Sequence, residues 1–356
     1  MKTYIKQNLI ILLLLVVGLT SCSKDDKESE EASTKKSIYI SGYESITPND
    51  ITKVWKNGEE AIISDQAYYS LTSLRVKLND LYVFGNDTYV AGSELIDGKN
   101  IATYWKNGEA MYLTDLNTSS KAKSIFVTTN DVFVVGEAIS GGKKDAVIWR
   151  NGIKTVLFEG DALTTPSATS VYVTQNDDVY VVGYSYVFVQ NISQARIWKN
   201  GVEIFEDVFE GLEQSSAKSV FVSNGVVYVA GSEFKNGVEI AAVWINGVIT
   251  RLTDGVNHAS ANAVYVSGND IYVAGVENNG SNDEAKIWKN GVATPLTVGT
   301  KSYAHSVFVS ENDVYVVGYE RIDSKNVATL WENGVAKRIT DGTHEAIAYD
   351  VFVTAN

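Results

Sequence analysis

The sequence predicts an all-β fold of seven antiparallel sheets, each of four strands, arranged around one axis. Every tryptophan in the chain is followed, one residue later, by Asn-Gly, and the seven copies recur about every 46 residues. The runs that flank these turns are rich in valine, isoleucine and aromatic residues, which favour strands. The repeats also begin with one strand too few and end with one strand too many. Together these observations predict a seven-bladed β-propeller. The tryptophans are Trp55, Trp105, Trp149, Trp198, Trp244, Trp288 and Trp331.

Each repeat is expected to contain four short strands, a to d, with strand a nearest the axis. In the last full repeat these are the segments 306–309, 314–318, 328–331 and 335–340. Asn-Gly favours a type I′ turn because both central residues take positive φ, so strands c and d should form a tight hairpin. Strands a and b are almost continuously apolar, which indicates that neighbouring blades bury both faces of each sheet.

The spacing between two repeated residues predicts how strands b and c pair. From the glycine that ends strand b to the tryptophan of strand c, the step is 13 residues in six blades. In blade four, from Gly183 to Trp198, it is 15 residues. Because both steps are odd, we expect each glycine to lie directly opposite its tryptophan, where it leaves room for the indole. All seven tryptophans are interpreted as core residues.

The two ends of the repeat region predict how the ring closes. The segment 37–42 reads as a strand b with no strand a before it, and the segment 350–356 reads as a strand a with no strand b after it. We therefore expect the C-terminal strand to complete the first blade, which removes the exposed edges of an open array. Composition does not change within 37–356, so this range is predicted to be a single propeller domain.

The N-terminal segment 1–21 has the layout of a secretory signal, with lysines before a short apolar run. It ends in Leu19-Thr20-Ser21-Cys22, which resembles the lipobox of bacterial lipoproteins, and Cys22 is the sole cysteine of the chain. The resemblance implies that Cys22 carries the lipid, becomes the first mature residue and anchors the protein to a membrane. The alternative is a chance cysteine in an ordinary signal or an uncleaved anchor.

The segment 22–36 is charged and nearly free of apolar residues, so we expect a disordered tether. Its run Lys24-Asp25-Asp26 resembles the signal by which Bacteroidota export lipoproteins to the outer face of the outer membrane. A generic acidic spacer facing the periplasm is the alternative. The repeat itself resembles the Trp-Lys-Asn-Gly propeller repeats of uncharacterised bacterial surface proteins, a likeness that implies a fold and a location but no activity.

The charge of the chain argues against nucleic acid as a partner. The formal net charge is −13, and removal of 1–21 takes away two lysines and no acids, which leaves −15. A protein this acidic, without a basic run, repels phosphate backbones. The propeller is expected to be monomeric.

One face of the propeller varies between blades and is the expected ligand face. The a–b and c–d turns lie on the opposite face and are nearly identical, whereas the b–c loops and the d-to-a crossings differ. Seven polar residues of five types stand where each strand a reaches the axis, a pattern that suits an asymmetric glycan or peptide. The alternative is that strand ends near water are polar in any case. The seven are Asn79, Lys123, Thr169, Lys218, Asn262, His305 and Tyr349.

A second set of side chains follows strand b and includes five carboxylates. Five acidic groups around one opening could hold Ca²⁺ or a cationic group. However, the expected register places Glu44 opposite Lys53 and Glu277 opposite Lys286, so ordinary cross-strand ion pairs explain part of this pattern. No metal-ligand spacing accompanies the carboxylates, and we assign no metal residue. The five are Glu44, Glu94, Glu233, Glu277 and Glu320.

Blade four has the longest b–c loop, with Tyr184, Tyr186 and Phe188 before an Asn. These aromatic residues are candidates for sugar stacking or a protein contact, or they pack within an elongated hairpin. No nucleophile elbow, phosphate loop or zinc motif is present, so no catalytic residue is assigned. The favoured function is binding of a glycan or protein. The alternatives are a hydrolase or lyase acting on a polysaccharide and a structural envelope protein.

Overall fold

A computed structural model describes residues 36–46, 49–61, 76–204 and 213–355. Within these ranges the chain forms 28 strands in seven four-stranded antiparallel sheets. None of the described residues forms a helix that is long and apolar enough to cross a membrane. The signal segment, Cys22 and the tether lie outside the described residues.

Each sheet is one blade, and the strands of the first three blades are as follows: β1 (Lys36–Ile46), β2 (Asn49–Lys56) and β3 (Glu59–Ala61); β4 (Val76–Phe84), β5 (Asp87–Ile96), β6 (Lys99–Lys106) and β7 (Glu109–Tyr112); β8 (Ser120–Val127), β9 (Val132–Ser140), β10 (Lys143–Arg150) and β11 (Ile153–Phe158).

Blades four to seven contain β12 (Thr164–Val173), β13 (Val179–Val187), β14 (Ile192–Lys199) and β15 (Val202–Glu203); β16 (Gln214–Ser223), β17 (Val226–Lys235), β18 (Val238–Ile245) and β19 (Val248–Arg251); β20 (Ala259–Ser267), β21 (Asp270–Asn278), β22 (Asp283–Lys289) and β23 (Val292–Pro295); β24 (Ser302–Ser310), β25 (Asp313–Ile322), β26 (Lys325–Glu332) and β27 (Val335–Arg338). The last strand, β28 (Glu345–Ala355), belongs to blade one.

The C-terminal strand closes the ring as predicted. β28 pairs antiparallel with β1 and forms the innermost strand of blade one, with Ala355 opposite Lys36. β1 begins one residue earlier than expected, because Lys36 still pairs with β28, and the Lys36 ammonium also reaches blade seven. It lies 2.7 Å from the Asp313 carboxylate and 3.0 Å from that of Glu311. The first strand is thus held by the last strand and by the neighbouring blade.

The Asn-Gly turns adopt the predicted type I′ geometry in every blade. The asparagines have φ between 47° and 55° and the glycines between 80° and 88°. In each turn the asparagine Oδ1 also accepts a hydrogen bond of 2.8–2.9 Å from the backbone N–H at the start of strand b, as Asn333 does from Val314. Asparagine therefore has two roles in the turn: it tolerates positive φ, and its side chain accepts a hydrogen bond from a backbone N–H of strand b.

The seven tryptophans are core residues, as predicted, with 0–7 % of each exposed. Each one lies in a hydrophobic cluster between its own blade and the preceding blade. Trp331, for example, packs against Tyr272 and Ala274 of blade six, and Trp55 packs against Tyr315 of blade seven. Since the ring has one such indole at each blade interface, the repeat of tryptophan is a repeat of interblade packing.

The predicted pairing of glycine with tryptophan is wrong by two residues in every blade. Trp331 lies opposite Val316, and Gly318 lies opposite Thr329. The odd spacing shows only that the glycine and the tryptophan could lie opposite each other. The position of the turn between strands b and c decides which residues are actually paired. In blade seven the turn is centred on Asp323 and Ser324, both with positive φ, one residue earlier than the predicted pairing requires.

The strand-b glycines are needed for a different reason. A Cβ atom on Gly318 would lie 1.8 Å from the carbonyl oxygen of Tyr303 in strand a. The equivalent distance is 1.9–2.2 Å at Gly42, Gly136, Gly183, Gly231 and Gly275. The backbone of strand a comes this close because it bulges at the facing position, so these glycines accommodate the bulge rather than an indole.

Candidate functional site

The seven predicted polar residues occupy one equivalent position, a β-bulge in each innermost strand. In β24, for example, Ala304 and Ser306 are paired with consecutive residues of β25, so that His305 is the extra residue. The same register shift occurs at the other six positions. A bulge redirects the side chain that it carries, here at the inner end of each blade.

Three of the bulge side chains hold neighbouring blades together. Each donates a hydrogen bond to a backbone carbonyl in strand a of the next blade: Asn79 to Ala122 at 2.7 Å, Thr169 to Ala217 at 2.8 Å and Asn262 to Ala304 at 2.9 Å. These side chains therefore have a structural role, because each one joins its blade to the next by a hydrogen bond.

The two lysines at bulge positions make similar links. The Lys123 ammonium donates to the Ser167 hydroxyl at 2.7 Å, and the Lys218 ammonium donates to Ser260 and to the Asn262 Oδ1 at 3.0 Å. Burial lowers the pKa of Lys218 below its usual range. Five of the seven bulge side chains therefore bridge to the following blade.

The other two bulge residues, His305 and Tyr349, belong to an aromatic cluster in blades seven and one. The centroid of the His305 ring lies 4.7 Å from that of Tyr303 and 5.5 Å from that of Tyr349. Tyr349 in turn stacks on Tyr43 at 5.9 Å. Burial raises the pKa of the Tyr349 hydroxyl, so this side chain is uncharged at neutral pH.

A cavity of about 640 Å³ opens at the inner ends of blades one to four, on the face that carries the b–c turns and the d-to-a crossings. We call it the cup. Its volume lies within the range of about 300–1,000 Å³ that is usual for small-ligand sites. The cup is lined by Tyr43, Asp50, Thr52, Leu78, Asn79, Ser93, Asn100, Lys121, Lys123, Glu137, Lys144, Tyr184 and Tyr349.

Four of the ten predicted ligand residues line the cup: Asn79, Lys123, Tyr184 and Tyr349. Thr169, Lys218, Asn262 and His305 lie at equivalent bulges but outside its lining. Tyr186 and Phe188 lie at the tip of the β13–β14 hairpin, where their rings meet edge to face at 5.1 Å and the Tyr186 hydroxyl donates to Asn191. That hairpin therefore packs on itself, as one of the two interpretations of its sequence anticipated.

The basic wall of the cup consists of three lysines around one carboxylate. The ammonium groups of Lys144, Lys123 and Lys121 lie 3.2, 3.5 and 3.8 Å from the Glu137 carboxylate. Burial by itself raises the pKa of Glu137, but the three ammonium groups together lower it below its usual range. Glu137 is thus ionised at neutral pH, and this wall carries two more positive charges than negative ones.

The strand-b position that lines the cup is one residue earlier than the one singled out from the sequence. The residue directly after the glycine faces the cup in four blades, as Tyr43, Ser93, Glu137 and Tyr184. Its sequence signal is its variability at a fixed offset from a repeated glycine. The next residue, by contrast, faces the blade interfaces, because successive side chains of a strand point to opposite faces.

The strand-b carboxylates pair within the fold. Glu44 lies 2.7 Å from the Lys53 ammonium and Glu277 lies 3.6 Å from that of Lys286, which confirms the cross-strand ion pairs. These are diagonal contacts, since Lys53 stands opposite Gly42. Among the described residues, no group of three or more His, Cys, Asp or Glu side chains is arranged to hold a metal ion.

A closed belt of seven aromatic rings lines the channel beyond the cup. Each innermost strand contributes one ring, three residues after its bulge, and neighbouring centroids lie 4.7–5.2 Å apart around the whole circle. Burial raises the pKa of Tyr82 and of Tyr265 to about 12. The belt narrows the channel with neutral groups. Its members are Tyr82, Phe126, Tyr172, Phe221, Tyr265, Phe308 and Phe352.

No known protein family and no curated protein matches this chain. Among solved structures, prolyl oligopeptidase B from Galerina marginata is 9 % identical with a TM-score of 0.50, over 88 % of this chain and 52 % of that chain. An acylaminoacyl peptidase from Pyrococcus horikoshii is 13 % identical with a TM-score of 0.44, over 75 % and 53 %. A putative TolB from Agrobacterium tumefaciens is 11 % identical with a TM-score of 0.42, over 69 % and 94 %.

This chain spans about half the length of the two peptidases. At such low identity the likeness is one of fold, since propellers serve many unrelated functions. The protein is therefore a seven-bladed β-propeller whose site must be interpreted from its own residues.

Proposed function

We propose that this protein binds a glycan in the cup, on the outer surface of a bacterial cell to which a lipid on Cys22 anchors it. The observation that carries the proposal is a concave cavity of about 640 Å³ lined by three tyrosines and by amide, hydroxyl and charged groups. A cavity of this size and shape suits a small ligand better than the broad, flatter contact typical of protein partners.

The chemistry of the lining supports a saccharide. The faces of sugar rings are apolar and stack on aromatic rings, while their hydroxyls need hydrogen-bonding partners. Tyr43 and Tyr349 form a stacked pair on one side of the cup, and Tyr184 lies on another. Ser93 and Asn100 supply polar groups between them. The aromatic belt below narrows the channel, so the ligand enters from the variable face.

Binding to purified protein tests the site. Residues 36–356, which form a compact unit, would be screened on a glycan array, and the affinity for the best ligand measured by calorimetry. Tyr43→Ala and Tyr349→Ala should each weaken binding about tenfold, as expected for the loss of a stacking ring. Tyr186→Ala is the matched control, because this tyrosine is on blade four but outside the cup.

The control also decides between sites. If Tyr186→Ala abolishes binding and the two cup variants do not affect it, the ligand sits at the β13–β14 hairpin and the cup assignment fails. Breakdown of the bound glycan that is lost in His305→Ala would favour the hydrolase or lyase alternative instead.

The location is tested separately in cells. Support for it comes from the sequence around Cys22 and from the acidic run that follows. Several acyl chains on one residue anchor a protein stably, because each buried methylene contributes about 0.8 kcal/mol. Cys22→Ala should release the protein from the membrane fraction. Protease added to intact cells should remove the propeller, and its survival there, with digestion only after lysis, would place it in the periplasm.

A further inference from the structure

We infer that the glycan bound in the cup is acidic, and that Lys121, Lys144 and Lys123 hold its carboxylate or sulfate group. The inference rests on the proposed function and names the class of ligand. It is carried by the arrangement of charge in blade three, by the exposure of the lysines and by the position of the aromatic wall.

The ratio of basic to acidic groups around Glu137 in blade three is the reverse of that around Lys53 and Lys286. Lys53 has two carboxylates within 2.9 Å, those of Glu44 and Glu60. Lys286 likewise has two, those of Glu277 and Glu284, within 3.6 Å. Around Glu137, by contrast, three ammonium groups share one carboxylate among the described residues, although the whole chain has 43 acidic and 30 basic side chains. Asp50 is the other acidic residue of the lining, so the cup has three lysines and two carboxylates.

An excess of like charge in a partly enclosed site is unfavourable unless an anion compensates it. The three ammonium groups converge on Glu137, whose side chain is 12 % exposed and so nearly shielded from solvent. The side chains of Lys121 and Lys144 are 47 % and 27 % exposed and border the open volume of the cup. They can therefore reach a ligand without leaving Glu137. The repulsion among them is relieved when a second anion binds.

One of the three ammonium groups, that of Lys123, is also held in place, which favours a specific site over a diffuse patch. Lys123 is fixed by the Ser167 hydroxyl at 2.7 Å and lies 5.7 Å from the centroid of the Tyr184 ring. Preorganised donors of this kind make charge-assisted hydrogen bonds to carboxylate and sulfate oxygens at little entropic cost.

The same cup presents an aromatic wall on blade one, formed by Tyr43 and Tyr349. A ligand that contacts both the aromatic wall and the lysines needs a ring with an apolar face, to stack on the tyrosines, and an anionic substituent, to bind the ammonium groups. Asp50 also borders the cup and would accept hydrogen bonds from sugar hydroxyls. Uronic acids and sulfated sugars have this combination, whereas neutral sugars leave the lysines uncompensated.

An array that carries neutral, carboxylated and sulfated oligosaccharides tests the inference. The bound glycans should be acidic, and removal of the charge by methyl esterification or desulfation should weaken binding at least tenfold. The double variant Lys121→Gln and Lys144→Gln should show a similar loss for the acidic glycan and a smaller dependence of affinity on salt concentration. Lys106→Gln is the control, because Lys106 pairs with Asp87 and lies at the opposite end of β6 from Asn100, the residue of that strand that lines the cup.

The outcomes separate the inference from the proposed function. If the bound glycans are neutral and Tyr43→Ala weakens them while the lysine variant does not, the cup binds glycans and the acidic class is wrong. If no glycan of any charge binds, both are overturned. A loss as large in Lys106→Gln as in the double variant would mean that net charge, and not the cup, attracts the ligand.

Discussion

Asp350 in the last strand of the chain accepts a hydrogen bond of 2.9 Å from the backbone N–H of Leu81 in blade two. The strand that completes blade one is thereby tied to the next blade as well. The contact belongs to a series, in which the side chain after a bulge accepts from a backbone N–H of the following blade. Asp80 accepts from Ile125 at 2.7 Å, and Ser124 accepts from Val171 at 3.2 Å. The ring is thus linked by side chains near its axis.

Deletion of residues 347–356 should unfold the whole propeller and not only remove one strand from it. β28 supplies the innermost strand of blade one and buries Ala348, Val351 and Val353 against blade seven. Without it β1 becomes an open edge and the ring loses its closure. Thermal denaturation followed by circular dichroism should show no cooperative transition. A chain lacking only Asn356 is the control, and a truncated protein that melts at the same temperature as the full chain would contradict ring closure.

Asp350→Asn should flatten the pH dependence of stability. Burial and the nearby charge of Asp80 raise the pKa of Asp350 well above its usual range. The folded state therefore retains this proton to a higher pH than the unfolded chain does. Its contribution to stability is complete below about pH 4 and is lost as the pH rises through the folded-state pKa. The melting temperature of the natural protein should fall more between about pH 4 and pH 8 than that of the variant; parallel profiles would refute this assignment.

Ala263→Ser should stabilise the protein. Ser170 and Ser219 accept hydrogen bonds of 3.3 and 3.2 Å from backbone N–H groups of the next blade, whereas Ala263 occupies the equivalent position in blade six without a side-chain oxygen. A serine there would accept from Val307 and add about 0.5–1.5 kcal/mol to the free energy of unfolding. Denaturant unfolding measures this gain. Ser219→Ala should cost a similar amount, and a destabilised Ala263→Ser would show that the added link does not form.

Gly318→Ala should destabilise the protein by about 3 kcal/mol or more, because the added Cβ meets the carbonyl oxygen of Tyr303 and the bulge must shift. The bulge carries His305, so the substitution should also disturb the aromatic cluster around Tyr349. Chemical denaturation gives the change in stability. Thr329→Ser, a small change on the residue opposite Gly318, serves as the comparison. A substitution at Gly318 that costs no more would mean that the backbone can relax locally.

Prediction from the sequence succeeded for features that depend on a short residue pattern, such as a turn, which recurs at regular intervals along the chain. Asn333-Gly334 and its six counterparts needed only the rule for positive φ, and the number of blades followed from counting them. Prediction of the register failed at Gly318 and Trp331, because parity allows several pairings and the turn at Asp323 and Ser324 decides among them. The sequence did not single out Tyr43, which follows the strand-b glycine directly and lines the cup, whereas Glu44 forms the cross-strand ion pair expected for it. Neighbouring residues of a strand point to opposite faces, so a shift of one residue exchanges a cup position for an interface position.

The sequence by itself determined that seven similar sheets form a ring closed by its own last strand, because these features arise from short-range turn and strand preferences and from the order of the repeats. Only the tertiary structure decided that Lys121, Lys123 and Lys144 of blade three share a cavity with Tyr43 and Tyr349 of blade one. These residues are distant along the chain. Lys123 both joins blades three and four and lines the cavity, whereas Lys218 and Thr169, at equivalent positions, join blades but lie outside it. Interblade contacts decide which polar side chains remain available to a ligand. The repeat pattern of the sequence does not specify these contacts.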